Sequence, residues 1–515
     1  MSAINIGSLG IVGAGAMGRG IAQIAAQAGL TVSLFDVNAQ AVAAARQYLQ
    51  DTFAKLADKG KISAADSEAA LARVKACTAL EDLADCDMVL EAIVERLDVK
   101  RDLVAKLEAI LREDAVIASN TSSLSITAIA VGSKKPDRVV GYHFFNPVPL
   151  MKVVEVIDGL SGDPAIGDRL MELSCRMGHT PVRCKDMPGF IVNHAGRGMN
   201  IEGLKAAQEG VAEFVDIDNI MREQAGFRMG PFELMDLTGL DVSHPVMESI
   251  YNHFYQEPRY RPSPITALRS VGGLLGRKTG AGFYAYSEGQ KQIPATRAVP
   301  DSRPAGVWVS RANERGHVMA VKLLGALGAN VEGGNQPSVD ALIVVTPLGL
   351  DATTAALQEG LDATRVVAID TLLPFEATKR RTLMTTPATS AGARDAAHGL
   401  FASDGVPVTV IRDSAGFIAQ RIIGCIVNIA SDIAQQRIAT PTDIDLAVNL
   451  GLGYPKGPLA LGDTIGANVI LEVLRNMNQL TGDMRYRPSP WLWRRAGLGL
   501  SLLTDEARVT DPCIG

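Results

Sequence analysis

The chain has 515 residues, 47% of them hydrophobic and 21% charged, with 50 Lys and Arg against 56 Asp and Glu for a formal net charge of −6. That length exceeds a single core and implies roughly three or four domains of ~100 to 200 residues. The acidic balance excludes a general basic field for nucleic acid or anionic membrane, no apolar run approaches the ~18 residues of a membrane span, and no basic segment leads into an apolar core at the start, so a cytoplasmic protein is expected. Cys77, Cys86, Cys175, Cys184, Cys425 and Cys513 show no Cys-x-x-Cys pair and no metal-like spacing with histidine. They are read as reduced and structural, and no metal centre is expected.

Residues 4–12 have the apolar, β-branched character of a short buried strand and run into Gly13-Ala14-Gly15-Ala16-Met17-Gly18, after which the pattern is helical. Gly13 allows the tight turn, Gly15 lets the backbone approach a pyrophosphate, and Gly18 lets the helix pack on the strand. The helix amino terminus offers its unpaired N–H groups and positive dipole end to the anion. A second strand, residues 31–35, ends at Asp36, where a carboxylate accepts hydrogen bonds from an adenosine ribose and repels a 2′-phosphate. NAD is therefore expected in preference to NADP.

Residues 39–75 read as a long helical pair inserted after the second strand, carrying Lys55, Lys59 and Lys61. A buried strand over 87–93 leads to Glu95, a helix spans 100–111, and a strand over 115–118 delivers Ser119-Asn120-Thr121-Ser122-Ser123. Open α/β sheets place ligands just past the carboxyl ends of their strands. The strand at 138–142 ends in His143-Phe144-Phe145-Asn146-Pro147, and the strand at 153–157 carries Glu155 among valines, where an acid needs a partner; His143 is the candidate. The alternation ends near Asp186-Met187-Pro188-Gly189-Phe190, and a helical domain with Asn193 in its first turns follows, closing with Gly276-Arg277-Lys278-Thr279-Gly280. Residues 287–304, polar, holding three prolines and showing no periodicity, read as a linker.

An internal repeat follows the linker. Asp186-x-x-Gly-Phe190 recurs 227 residues on as Asp413-x-x-Gly-Phe417, and the same offset relates Asp216-Ile-Asp218 to Asp443-Ile-Asp445, Gly230-Pro231 to Gly457-Pro458, and Asp236 to Asp463. Tyr260-Arg-Pro-Ser-Pro264 returns as Tyr486-Arg-Pro-Ser-Pro490. The helical domain therefore occurs twice. Strand-like stretches at 307–310 and 341–346 extend the repeat to the sheet domain, but its glycine turn has become Ser310-Arg-Ala-Asn-Glu-Arg-Gly316, which places a cation and an anion where small residues would admit a pyrophosphate. Asp370 stands where His143 maps and Gln420 where Asn193 maps, so one catalytic centre per chain is expected.

The glycine turn, the segment from Glu95 to Lys100, SNTSSLSI, HFFNPVPLMKVVEV, the GFIVN helix and GRKTGAGFY together resemble the L-3-hydroxyacyl-CoA dehydrogenase family, continuously over 6–286 and in degenerate form over most of the rest. The tandem arrangement resembles the bacterial enzymes of phenylacetate and short-chain acyl-CoA catabolism. The resemblance implies an α/β Rossmann-type NAD-binding domain over 1–185 and an all-α 6-phosphogluconate-dehydrogenase-like domain over 186–286. After the linker it implies a degenerate Rossmann-like domain without a nucleotide site over 305–412 and a second helical domain over 413–515. It makes His143 the catalytic base, Glu155 its partner, and Ser122 and Asn193 the hydrogen-bonding partners of substrate. Besides Gly13, Gly15, Ala16, Met17 and Gly18, cofactor contacts fall to Asp36, Glu95, Lys100, Ser122, Asn146 and Lys278, and coenzyme A contacts to Thr52 and Lys59. An acyl-CoA partner such as 3-hydroxyadipyl-CoA or 3-hydroxybutyryl-CoA follows, along with a pseudo-dimer of the two helical domains within the chain. The competing expectations are a gulonate-like dehydrogenase of free hydroxy or sugar acids and a non-catalytic NAD-binding protein.

The residue chemistry agrees with the favoured expectation. Oxidising a secondary alcohol needs a base for the hydroxyl proton while hydride leaves carbon, and histidine titrates in the right range. A carboxylate on its second nitrogen fixes the tautomer and stabilises the imidazolium. No Gly-x-Ser-x-Gly elbow surrounds Ser122, which argues against a nucleophile there.

Overall fold

A computed structural model describes residues 6–294 and 298–506. Ile4, Asn5, Cys513 and part of the expected linker lie outside them. Strands and helices first alternate: β1 (Ser8–Val12), α1 (Ala16–Gln27), β2 (Thr31–Phe35), α2 (Ala39–Asp58), α3 (Ala64–Ala72), β3 (Val74–Ala76), β4 (Met88–Glu91), α4 (Leu97–Ile110), β5 (Val116–Ser119), α5 (Ile126–Ala130), β6 (Val139–Phe144), β7 (Val153–Asp158), α6 (Pro164–Arg176) and β8 (Thr180–Lys185). A helical run follows: α7 (Val192–Ala195), α8 (Arg197–Gln208), α9 (Phe214–Asn219) with a π-helical turn Ile220–Gln224, α10 (Pro231–Thr238), α11 (Leu240–His253) and α12 (Pro264–Val271). Then come β9 (Tyr286–Ser287), β10 (Gln290–Lys291), β11 (Val307–Val309), α13 (Glu314–Ala326), β12 (Leu342–Val345), α14 (Ala352–Gln358), β13 (Val366–Ile369), β14 (Arg381–Thr385), α15 (Ala391–Phe401) and β15 (Val408–Ile411). The chain closes on α16 (Ala419–Gln435), α17 (Pro441–Leu452), α18 (Pro458–Ile465), α19 (Ala467–Thr481) and α20 (Pro490–Leu498). Two compact units result: one runs to His194 and includes Gln436–Leu452, the other holds Ala195–Gln435 and the chain from Gly453 onward.

The first unit is built on an eight-stranded sheet of order β3-β2-β1-β4-β5-β6-β7-β8, parallel throughout except where β6 meets β7. Strands buried on both faces read as near-continuous apolar runs, and β4 to β7 follow that pattern, interrupted at buried positions by Glu91, Ser119, His143 and Glu155. Ile21, Ala22 and Ala25 of α1 and Leu49 and Phe53 of α2 close one face over Ile11, Leu34 and Leu90. Chain order reverses at β1, between β2 and β4, which is the crevice where such sheets bind ligands. The turn into that crevice requires its glycines: Gly13 has φ +108°, and a methyl on it would fall 2.5 Å from the Ala92 carbonyl oxygen. Helix α17 packs on β7 and β8, anchored by the Lys185 N–H donating to the Ile438 carbonyl at 2.9 Å.

The second unit carries a five-stranded sheet, β11-β12-β13-β14-β15, again with one antiparallel neighbour pair, β13 and β14. The 227-residue offset takes β5 to β8 onto β12 to β15. Strand β11 then lies directly beside β12, so the counterpart of β4 and of the Glu95 and Lys100 segment behind it is gone. Helices of the two helical copies pack at backbone distance: a methyl on Gly198 of α8 would lie 2.7 Å from the Cα of Ile426 on α16. Buried Glu202 on α8 accepts from Arg421 Nε at 2.6 Å and from the Tyr486 hydroxyl at 2.9 Å, and Arg485, just before the second Tyr-Arg-Pro-Ser-Pro segment, donates from Nη2 to the Arg261 carbonyl of the first at 3.2 Å.

The repeated aspartates have a physical reason. Asp186 accepts from the Ile126 and Thr127 N–H groups at the start of α5, and Asp413 from those of Ala352 and Thr353 at the start of α14, so each caps the same helix of its copy. Asp236 holds Phe283 and Tyr284 N–H, and Asp463 holds that of Leu502. The expected linker opens on a hairpin, β9 with β10, turned through Glu288 and Gly289 at φ +51° and +77°. Its polarity hid it, since a two-residue ladder needs no apolar face.

Candidate functional site

The site forms in the first unit where β1, β4, β5 and β6 end. Helix α1 begins there at Gly15 with no side-chain cap and no acidic residue in its first turn, so its leading N–H groups are unspent. A methyl on Gly15 would meet nothing within 4 Å, whereas one on Gly18 would fall 1.7 Å from the Gly13 carbonyl oxygen. The turn is thus packed tight inward and bare outward, a cradle fit for a pyrophosphate at the N–H groups near Ala16, Met17 and Gly18. Asp36, at the end of β2, closes the cradle: it accepts from the Ala14 N–H at 2.8 Å and from that of Asn38 at 2.9 Å.

Strands β6 and β7 place His143 and Glu155 directly opposite each other. His143 Nδ1 lies 2.6 Å from Glu155 Oε2, and the other carboxylate oxygen accepts from the N–H groups of Ile191 and Val192 at 2.9 and 2.8 Å. Glu155 is fully buried and His143 only 5% exposed. A carboxylate with two backbone donors and an imidazole is fully satisfied, and hydrogen bonds to a charged acceptor each contribute about 1.5–3 kcal/mol. Nδ1 is thereby committed as a donor, which leaves Nε2 as the acceptor. Phe145 and Phe190 flank the imidazole, with ring centroids 4.3 and 5.9 Å away. Phe190 adopts φ +49° directly after Gly189 at +77°, a double left-handed turn that brings Ile191 and Val192 onto Glu155.

The polar loop after β5 is gathered by Glu95. Its Oε1 accepts from the Thr121 hydroxyl at 2.7 Å, the Ser122 N–H at 2.9 Å and hydroxyl at 3.3 Å, and the Ser123 N–H at 3.0 Å. Burial would raise its pKa, but the Lys100 ammonium and the loop donors together hold it below the ordinary carboxylate range. Asn193 Nδ2 donates to the Ser122 carbonyl at 3.4 Å, so Ser122, Asn193 and, through Val192, the His143–Glu155 pair form one connected cluster.

Lys100 does not face the open crevice. It is 1% exposed, and its ammonium contacts both oxygens of Glu91 at 2.7 Å and Glu95 at 3.4 Å, which places it behind Glu95. Burial pushes Glu91 up, opposed by that ammonium. Glu91, which also accepts from the Ser119 hydroxyl, went unread in the sequence although an acid ending a buried strand nine residues before a lysine is a visible signal. Asn120, within the polar stretch after β5, has a role that its position alone does not show: its Oδ1 accepts from the Phe144 N–H at 2.8 Å and ties the loop to β6 beside His143. Asn146 is exposed past the end of β6, and Thr52 and the exposed Lys59 lie on α2 and at its end. Lys278 belongs to the second unit, where it pairs with Asp241.

The model of the NAD-binding domain of 3-hydroxyacyl-CoA dehydrogenases matches residues 8–187, and that of their C-terminal domain matches 189–286 and again 416–502. Over 493 residues the chain is 36% identical to the 3-hydroxyadipyl-CoA dehydrogenase of Escherichia coli, covering 96% of this chain and 98% of that protein. A crystal structure of 3-hydroxybutyryl-CoA dehydrogenase from Escherichia coli superposes with a TM-score of 0.84 at 36% identity, over 96% of this chain and 99% of that one. A probable 3-hydroxybutyryl-CoA dehydrogenase of Deinococcus radiodurans is 42% identical over 277 residues, which is 54% of this chain and 99% of the relative.

Proposed function

The chain belongs to the 3-hydroxyacyl-CoA dehydrogenase family, and on that footing we propose that the His143–Glu155 pair drives its reaction, the NAD-dependent oxidation of an (S)-3-hydroxyacyl-CoA to the 3-oxoacyl-CoA. The single observation that carries this reading is the 2.6 Å contact of His143 Nδ1 with a buried, fully satisfied carboxylate. His143 Nε2 accepts the proton of the substrate hydroxyl as the C3–H bond breaks, and Glu155 stabilises the imidazolium that forms. NAD, when bound, supplies the hydride acceptor. Ser122 and Asn193 orient the hydroxyl and thioester oxygens, and Asp36 accepts from the adenosine ribose. Glu95 with Lys100 behind it, Asn146 and Lys278 complete the cofactor contacts, and Thr52 and Lys59 meet coenzyme A.

The same proposal covers the organisation of the chain. It divides functionally at 1–185, 186–286, 305–412 and 413–515, acts in the cytoplasm, and brings its two helical copies together as a pseudo-dimer. The α8–α16 packing and the Glu202–Arg421 pair support that last point, since breaking such a buried pair typically costs about 3–5 kcal/mol. Relatives named for 3-hydroxyadipyl-CoA and 3-hydroxybutyryl-CoA make these the first substrates to compare. A steady-state screen of 3-hydroxyacyl-CoA thioesters against the free 3-hydroxy acids tests the reading. Turnover is expected only with the thioesters, and equal turnover of the free acids would replace it with the gulonate-like alternative.

A further inference from the structure

The 227-residue offset maps α17 onto α9 and the π-helical turn after it. In the second unit that turn drives the buried Gln224 into the place where the second sheet carries Asp370 and Thr382, the counterparts of His143 and Glu155. Gln224 Nε2 donates to Asp370 Oδ2 at 2.8 Å, and the Thr382 hydroxyl donates to Gln224 Oε1 at 2.5 Å. In the first unit, the residue of α17 at the position of Gln224 is Gly451. Gly451 ends an ordinary helix and has no positive φ, so its backbone does not demand glycine; a glycine in a helix costs about 1 kcal/mol relative to alanine. The space around it is tight: a methyl there would lie 3.0 Å from both Cγ atoms of Val192 and 3.4 Å from Val153 Cγ1, so those side chains would have to shift. These two valines flank Glu155. The Val192 N–H donates to its carboxylate, and Val153 stands two residues along β7 on the same face.

Resting on the catalytic reading of the pair, we propose that the second copy takes part in turnover through α17, which forms the wall behind His143 and Glu155. Gly451 is its positioning residue: the missing side chain keeps Val192 seated under the carboxylate and leaves the pair without the third polar partner that Gln224 gives to Asp370 and Thr382. The degenerate copy is then part of the active centre's frame and not only a remnant.

The test uses the full chain. Gly451→Gln is expected to lower kcat by at least 10²-fold and to displace the acid limb of the kcat/KM profile while the KM for NAD stays within about two-fold, because the disturbance falls on the acid–base pair. Gly451→Ala is expected to lower kcat roughly three- to ten-fold, and Val192→Ala added to it, which removes the clashing methyls but keeps the N–H, restores most of the loss. Circular-dichroism melting and NAD binding accompany each variant. If Gly451→Gln fails to fold, the alanine pair decides alone: no rescue, or a loss confined to KM, overturns the proposal. Wild-type kcat and pH profile in a folded Gly451→Gln also overturn it. His143→Gln separates the two levels, since an active His143→Gln removes the catalytic reading itself, whereas an inactive one beside silent Gly451 variants removes only the wall.

Discussion

The two sheets of this chain present the same positions in different chemistry. At the first, α1 begins with bare glycine, no cap and no acid; at the second, α13 begins with Asn313, whose side chain accepts from the Gly316 N–H, followed at once by Glu314. The donors that would hold a phosphate are spent internally in the second case, and a carboxylate sits at the dipole end that should meet the anion. At the first, a histidine faces a glutamate across β6 and β7; at the second, Asp370 faces Thr382 and is held by Gln224 and Gln420, the latter at 2.9 Å. At the second sheet the polar groups in these positions therefore satisfy one another.

The sharpest way to break that contrast is to remove the base. His143→Gln is expected to lower kcat roughly 10²- to 10⁴-fold, the usual contribution of a positioned general base, with NAD affinity nearly intact. Stopped-flow and steady-state measurement with the best thioester of the screen would check it, together with an NAD titration expected to saturate at one cofactor per chain. Wild-type turnover in this variant, or two cofactors per chain, would erase the distinction between the copies.

Much of this was legible beforehand because the relevant signals are local or strictly periodic. Residues 31–35 form β2, and the strands at 139–144 and 153–158 overlap the expected 138–142 and 153–157, because short stretches rich in β-branched and apolar residues suit a buried sheet. The Asp-x-x-Gly-Phe repeat is equally visible, since the left-handed turn at Gly189-Phe190 and Gly416-Phe417 and the aspartate cap tolerate little else. What escaped depends on distance in the chain. The burial of Lys100 is one such feature: its partner Glu91 is brought beneath it by the β4 register, which no local pattern shows. The placement of α17 on the first sheet and of Gln224 on the second is invisible to periodicity, because a helix face does not say which of two homologous sheets it will cover. Edge strand β3 is three residues long with two exposed, too little to register as a pattern.

A smaller effect sharpens the cofactor half of the comparison. Asp36→Asn removes the charge that repels a 2′-phosphate while keeping an oxygen to accept the Ala14 N–H, so the glycine turn stays closed. The ratio of kcat/KM for NAD over NADP is expected to fall on the order of 10- to 10²-fold, the equivalent of one charge-assisted hydrogen bond. An unchanged ratio would mean that discrimination lies elsewhere in the crevice.

The least effect is expected in the second copy, and its smallness is the point. Asp370 is buried, and burial pushes its carboxyl up, opposed by bonds from Gln420, the Leu372 N–H and Gln224. A carboxyl whose pKa is higher in the folded protein than in the unfolded chain binds its proton more tightly when folded. Its contribution to stability is therefore complete below the ordinary carboxylate range and declines as pH rises from there through the folded-state value. Asp370→Asn cannot ionise, so it should flatten that decline. It should also cost about 1 kcal/mol at low pH, because one amide donor now faces the Gln224 amide in place of an acceptor. Turnover should stay within about two-fold of wild type, since the proposed base and its partner are His143 and Glu155. Melting curves between pH 4 and pH 8, run beside steady-state rates, separate the two outcomes. A flattened stability profile with unchanged rates assigns Asp370 to the fold of the second unit alone, whereas a ten-fold loss of kcat would mean that the second sheet's closed polar cluster still bears on the reaction.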